Sequence, residues 1–223
     1  MREGLQNEQL ISIYRRIAKR YDFQHGLITA RSDQRGREAL VDKAVEAGKK
    51  VLDCGAGTGS TGLLAARKVG PGGHVTFFDL SEDMLAVAKE KVAAESMTDR
   101  ASFERGDLTK LPFEDNTFDV VVSSYSLCPV YNPALGALEM YRVVKPGGRI
   151  GIAHSAEPPN RVVRIIADAI ESVAWKITTL SMGCRSVEVL PALQKAGGRI
   201  TYQKYFGIPL WPFFIFVVEK PLS

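Results

Sequence analysis

The stretch VLDCGAGTGSTGLLA, Val51 to Ala65, constrains the fold of this chain more than any other feature. A short apolar run gives way to glycines spaced two residues apart, and Leu63, Leu64, Ala66 and Val69 then follow at helical spacing. A strand that turns sharply into a helix accounts for this order, because glycine adopts the positive backbone angles of such a turn at little steric cost. Strand, turn and helix in that order open a crossover unit, so the remaining chain has to provide further parallel strands.

It does so in alternation. HVTFFDL reads as a second strand, and Glu82 to Ala94 as a helix capped by Ser81. ASFERGD is a third strand and FDVVVSS a fourth; Leu135 to Val144 is a helix, PGG a turn and RIGIAHS a fifth strand. Near-continuous apolar strands between helices indicate a parallel sheet covered on both faces. Arg161 to Thr179 then reads as an inserted helix and Val187 to Ala196 as another. GRITYQKYF and FFIFVVEK are two more strands, and GIPLWP between them is too short to hold a crossover helix, so they pair antiparallel. The expected fold is a single α/β domain over 1–223, with a seven-stranded, mostly parallel, doubly wound sheet of Rossmann-like form and an antiparallel last strand. A helical cap over 1–47, broken near His25-Gly26, precedes a cofactor-binding core over 48–155. A helical insertion over 156–185 and a C-terminal helix with the antiparallel strand pair over 186–223 complete it. Cap and insertion are expected to form a lid over the carboxyl edge of the sheet.

Composition excludes several classes. The chain has 223 residues, 45% hydrophobic and 24% charged, which suits one globular domain. MREGLQNEQL lacks the apolar stretch of a secretory leader, and Phe206 to Val218 is broken by Pro209 and Pro212 and is too short to span a bilayer. Three cysteines make no disulfide framework, which fits a reducing cytoplasm. The net charge of +4 is mild. Part of it sits in YRRIAKRYD, read as a solvated helix face whose Ile13, Ile17 and Tyr21 point inward. Peripheral contact with an anionic membrane stays open as the second reading of that segment.

The glycines admit two cofactors. Gly57, Gly59 and Gly62 give the G-x-G-x-x-G of a dinucleotide turn, whereas Gly55, Gly57 and Gly59 give G-x-G-x-G with Asp53 two residues ahead. Asp79 ends the second strand, where a carboxylate can accept from both ribose hydroxyls, which serves either cofactor. Asp53 separates them. A carboxylate beside the turn is out of place against a pyrophosphate, which lies on bare N–H groups, but suits a ligand carrying an ammonium and a sulfonium. Asp107 after the third strand, placed to accept from an adenine amino group, and RVVKPGGRI before the fifth complete an ordered set over about a hundred residues.

VLDCGAGTG, FFDLS, GDLTKLPF, FDVVVSSYSL and VVKPGG together resemble the class I S-adenosylmethionine-dependent methyltransferases. With YDFQHGLITARSDQRGRE ahead of them, they look most like the ubiquinone/menaquinone C-methyltransferase branch. The resemblance implies that Gly55, Gly57, Thr58 and Gly59 wrap the methionine part of the cofactor, with Asp53 supporting the turn or the ammonium. It implies that Asp79 holds the ribose, that Leu80 and Met84 flank the adenine, and that Asp107 and Leu108 bind its edge. Ser124 would line the pocket beside the sulfonium, and Tyr21 would close over it. For catalysis the candidates are His154, as a base at the tip of the fifth strand, and Tyr125, which could orient the acceptor. No metal site is expected.

The acceptor is expected to be a small or lipid-like molecule, with carbon methylation of a quinol-type ring ahead of a thiol, a phospholipid amine or arsenite. Cys128 and Cys184 keep the thiol and arsenic options open. Nucleic acid is not expected: the Asn/Asp-Pro-Pro-Tyr/Phe box of base amino methylation is absent, and Asn132-Pro133 lacks its second half. The competing classes are an NAD(P)-dependent oxidoreductase and a non-catalytic binding protein of the same fold.

Overall fold

The structure is a computed structural model that describes residues 5–22, 32–158, 160–174, 186–208 and 211–222. Its centre is a seven-stranded sheet of β1 (Lys50–Cys54), β2 (His74–Asp79), β3 (Ala101–Arg105), β4 (Phe118–Ser124), β5 (Val144–Ser155), β6 (Arg199–Ile208) and β7 (Trp211–Glu219). The order is β3-β2-β1-β4-β5-β7-β6. β1 to β5 are parallel neighbours, and β7 runs antiparallel between β5 and β6. The reversed strand therefore makes two antiparallel pairings, not the single one the short connection implies. Chain order reverses direction across β1 and β4, which opens a crevice beyond their carboxyl ends.

Helices cover both faces. α2 (Ser32–Ala44), α3 (Ser60–Val69) and α4 (Glu82–Ala94) bury Leu40, Val41, Leu63, Ala66, Leu85 and Val92 against one face. α5 (Pro133–Val143) and α7 (Leu190–Lys195) bury Ala137, Met140, Val143 and Leu193 against the other. α1 (Asn7–Ile17) runs over the carboxyl edge, tied to the body where the Leu5 N–H donates to the Pro129 carbonyl at 2.9 Å. α6 (Arg161–Ala174) leaves Val162, Ile165 and Ile166 exposed at its start. Among the described residues no helix is long and apolar enough to cross a membrane.

Three local readings change. Pro146-Gly147-Gly148 is no free turn: β5 runs through it as an irregularity, its pairing jumping from Phe118↔Val144 to Val120↔Arg149. Glycines inside a strand mark such bulges as readily as turns. The helix expected over Val187–Ala196 is only Leu190–Lys195, with Val189 as its N-cap, because Val187 is buried ahead of it and its N–H donates to Ser155 O at 3.3 Å. Pro191, confined to a first helical turn, sets its start. The break at His25-Gly26 and residues 175–179 of the inserted helix lie outside the described residues.

Candidate functional site

The glycine turn is built from the backbone outward. Gly55 follows β1 with φ +78°, and a Cβ there would stand 2.2 Å from that of Ser126, so both angle and space exclude a side chain. The Gly55 and Ala56 N–H groups donate to Phe78 O at 2.8 and 2.9 Å, which folds the turn onto β2. Gly59, at φ +82°, takes the N-cap position of α3. The Gly57 N–H donates to Asp79 Oδ2 at 2.8 Å, and the Ser81 N–H to Asp79 Oδ1 at 2.8 Å. Each carboxylate oxygen has two lone pairs and so keeps acceptor capacity toward the cleft. Enclosure raises the Asp79 pKa above the ordinary carboxylate value against the pull of those N–H groups.

Asp53 lies beneath the turn. It is fully buried, and neither carboxylate oxygen has a hydrogen-bond partner. Burial pushes its pKa up to about 7, with the Arg37 charge and the nearby Gly62 N–H opposing and Asp79 reinforcing.

The β4 side of the crevice is polar and dense. The Arg37 Nη1 donates to Ser124 Oγ at 2.7 Å and to Thr61 Oγ1 at 3.1 Å, and the guanidinium carbon lies 5.0 Å from the Tyr125 ring centre. Tyr125 itself has φ +59°, a strained value for an aromatic residue, fixed by its N–H bond to Ala153 O at 2.7 Å. Its hydroxyl faces Asp33 O at 3.5 Å, and burial raises its pKa, so the phenol stays protonated.

The N-terminal segment closes the top. Asn7 Nδ2 donates to Asp107 Oδ2 at 2.8 Å, while Asp107 Oδ1 accepts from the Thr109 N–H at 2.8 Å and its hydroxyl at 2.7 Å. Burial works against the Asp107 charge, but these bonds outweigh it and hold the pKa below the usual value. Asp22 accepts from Thr58 Oγ1 at 2.6 Å and Ser60 Oγ at 3.3 Å and forms a short ion pair with Lys91. Tyr21, next to it, meets Tyr14 edge-on with centroids 6.1 Å apart.

These groups line one cleft of about 800 Å³, mouth included. Tyr21, Gly55, Gly57, Thr58, Asp79, Leu80, Met84, Asp107, Leu108, Ser124 and Tyr125 all stand on its wall, with Gly59 just behind as the helix cap. Asp53 does not reach the wall. Nor does His154. The residue is 3% exposed, its ring packed edge-on to Phe214 and Phe216, and Nδ1 faces Ser155 O at 2.9 Å. Burial lowers its pKa and keeps it neutral, but it lines no part of the cleft, because the reversed β7 covers the end of β5. The described side chains of α6 are also absent from the wall, whereas α1 supplies Asn7, Leu10, Ile11 and Tyr14. Cys128 is buried, with Sγ accepting the Ser155 N–H at 3.4 Å, and Cys184 is outside the described residues. No group of three or more His, Cys, Asp or Glu that could hold a metal occurs among the described residues. Asn7, Asp22 and Arg37 were missed in the sequence; Gly36, a glycine inside a helical run, was the available signal for Arg37.

The profile of the Methyltransferase domain family matches residues 45–201. A demethylmenaquinone methyltransferase of Clavibacter sepedonicus is 38% identical over 157 residues, 70% of this chain and 62% of that protein. A ubiquinone/menaquinone biosynthesis C-methyltransferase of Roseobacter denitrificans is 33% identical over 159 residues, 71% of this chain and 63% of that protein. The matched region thus spans less than two thirds of these curated relatives. A putative methyltransferase from Bacillus halodurans superposes with TM-score 0.68 at 20% identity, over 83% of this chain and 98% of that one.

Proposed function

Because the chain belongs to the Methyltransferase domain family and has the Rossmann-like sheet of S-adenosylmethionine-dependent enzymes, we propose that it moves the methyl group of that cofactor to a carbon of a quinol-type ring. The observation that carries this reading is the convergence of the glycine turn, Asp79 and Asp107 on one cleft at the point where strand order reverses. The residues suit the cofactor. Side-chain-free Gly55 and Gly57 let the ligand approach the backbone, and Asp79 keeps lone pairs for two ribose hydroxyls. Leu80, Met84 and Leu108 offer apolar contact for the adenine, with Asp107 at its edge. When bound, the cofactor supplies an electrophilic methyl group on a sulfonium.

The remaining task of the chain is positioning and exclusion of water. Leu10, Ile11 and Tyr14 of α1, with Tyr21, cover the cleft from above, and Pro129 and Val130 continue its apolar wall. Such a wall suits a ring bearing an apolar tail better than a free amino acid. The Tyr125 phenol, held protonated and turned toward the Asp33 carbonyl, takes no proton from the acceptor. Carbon methylation is favoured over the thiol, phospholipid-amine and arsenite alternatives by the named activities of the relatives. The burial of Cys128 away from the cleft also weighs against a soft-ligand site. The exposed Val162, Ile165 and Ile166 beside Arg161 and Arg164 suit peripheral contact with an anionic lipid surface, where such an acceptor resides.

A panel of quinol, thiol, phospholipid-amine and arsenite acceptors with labelled cofactor tests the reading. Label in a ring-carbon product is expected; label confined to RNA, protein or another acceptor class contradicts it.

A further inference from the structure

Asn7 reaches the cleft from outside the glycine turn and the sheet. It stands at the start of α1 on the cleft wall, and its Nδ2 donates to Asp107 Oδ2 at 2.8 Å. That carboxylate is closely held. Oδ1 accepts from the Thr109 N–H at 2.8 Å and from the Thr109 hydroxyl at 2.7 Å. The Thr109 hydroxyl, its hydrogen so used, accepts in turn from the Tyr131 hydroxyl at 2.8 Å. Two bonds fill the two lone pairs of Oδ1, so the acceptor capacity left to Asp107 is on Oδ2, the oxygen that Asn7 fixes. These bonds hold the carboxyl in its ionised form, which can only accept. An ionised carboxylate therefore takes the amide nitrogen of Asn7, and the amide oxygen, turned from it, accepts from no described residue.

Two acceptors thus share one part of the wall: Asp107 Oδ2 and, one amide group away, Asn7 Oδ1. An aromatic amine carries two hydrogens and can give one to each. A ring carbonyl in the same place would set its oxygen against both. A site built on acceptors rejects a ligand that cannot donate far more strongly than an apolar pocket rejects a change of size, because its polar groups are then left unpaired. The two residues also come from different parts of the fold. Asp107 follows β3, whereas Asn7 belongs to the helix that covers the cleft, so the pair exists only while that helix is seated. Seating alone does not call for this amide, since Leu10 and Ile17 already bury the inner face of α1.

We infer that Asn7 is a specificity-determining residue which, with Asp107, reads the exocyclic amino group of the cofactor's purine, so that the N-terminal helix selects the base as well as covering the cleft, an inference that rests on the cofactor reading. Calorimetry compares S-adenosylhomocysteine with S-inosylhomocysteine, in which a carbonyl replaces the amino group, on wild type, Asn7→Ala and Asn7→Leu. The leucine keeps the approximate shape of the side chain without its amide, so a loosened helix and a lost contact are told apart. Wild type should prefer S-adenosylhomocysteine by at least about a hundredfold. Both variants should cut that preference about tenfold, the range of one hydrogen bond left unmade, through weaker binding of S-adenosylhomocysteine while S-inosylhomocysteine binds as well as before or better. A preference that stays unchanged in the variants, whether both affinities fall together or neither moves, would mean that Asn7 only ties the helix down, and overturns the inference. Wild type that binds the two ligands equally overturns it as well. Wild type that binds neither contradicts the cofactor reading itself, and the inference with it.

Discussion

At the scale of single residues, the site depends on groups whose environment differs sharply from water. A methyl group at Gly55 would meet Ser126 at 2.2 Å on a backbone at φ +78°, so Gly55→Ala should lower stability by roughly 2–4 kcal/mol and weaken S-adenosylhomocysteine binding, as denaturant unfolding and calorimetry would record. Asp53 gives a pH signature. Its carboxyl keeps a proton in the folded state up to about pH 7, whereas an unfolded aspartate releases it near the ordinary 3.8. The unfolded state therefore binds fewer protons between those values, and stability falls as pH rises through that window, by an amount on the order of 4 kcal/mol. Unfolding curves at pH 5 and pH 8 should show the part of that fall above pH 5, about 3 kcal/mol, in wild type and not in Asp53→Asn; parallel behaviour of the two would contradict the assignment. His154 lies off the cleft, so His154→Phe should leave S-adenosylhomocysteine affinity within about twofold, well under the tenfold that a lost contact of 1.4 kcal/mol would produce. Which residues were legible follows from locality. Asp79 and the glycines are fixed by their own strand ends, but Arg37 reaches the cleft only because α2 packs close to Tyr125, where a Cβ on Gly36 would lie 2.5 Å from the hydroxyl oxygen.

At the scale of elements, the N-terminal segment is held to the core by side chains rather than by backbone pairing alone. Asp22 bridges Thr58, Ser60 and Lys91, and burial, which opposes its charge, is outweighed by Lys91 and Thr58, so its pKa lies below the usual value. Asn7 supplies the second tie, to Asp107. Replacing both with alanine should speed hydrogen exchange over residues 7–22 by at least tenfold while leaving the sheet amides unchanged, because the released segment opens locally. Unchanged exchange over 7–22 would mean that apolar packing of Leu10 and Ile17 holds it instead. The sequence reveals α1 through its apolar spacing, but the ties are single side chains between residues 36 and 100 positions apart, for which no periodicity exists. The bulge in β5 and the short α7 escaped for the opposite reason. Local glycine and valine patterns suggested a turn and a longer helix, and tertiary pairing overrode both.

At the scale of the whole molecule, the doubly wound sheet was legible because each crossover repeats the same strand-helix alternation, while the place of β7 between β5 and β6 was not, since hairpin length fixes pairing but not which edge the hairpin joins. That topology brings β1 and β4 side by side with their carboxyl ends free, and the central claim is that S-adenosylmethionine occupies the crevice there. Calorimetric titration with S-adenosylhomocysteine, repeated with Asp79→Ala and with NAD as the alternative ligand, tests it most directly. The account predicts one site for S-adenosylhomocysteine on wild type, an affinity at least about tenfold weaker in the variant, and no heat from NAD. Saturable binding of NAD in place of S-adenosylhomocysteine, or an affinity indifferent to Asp79, would contradict it.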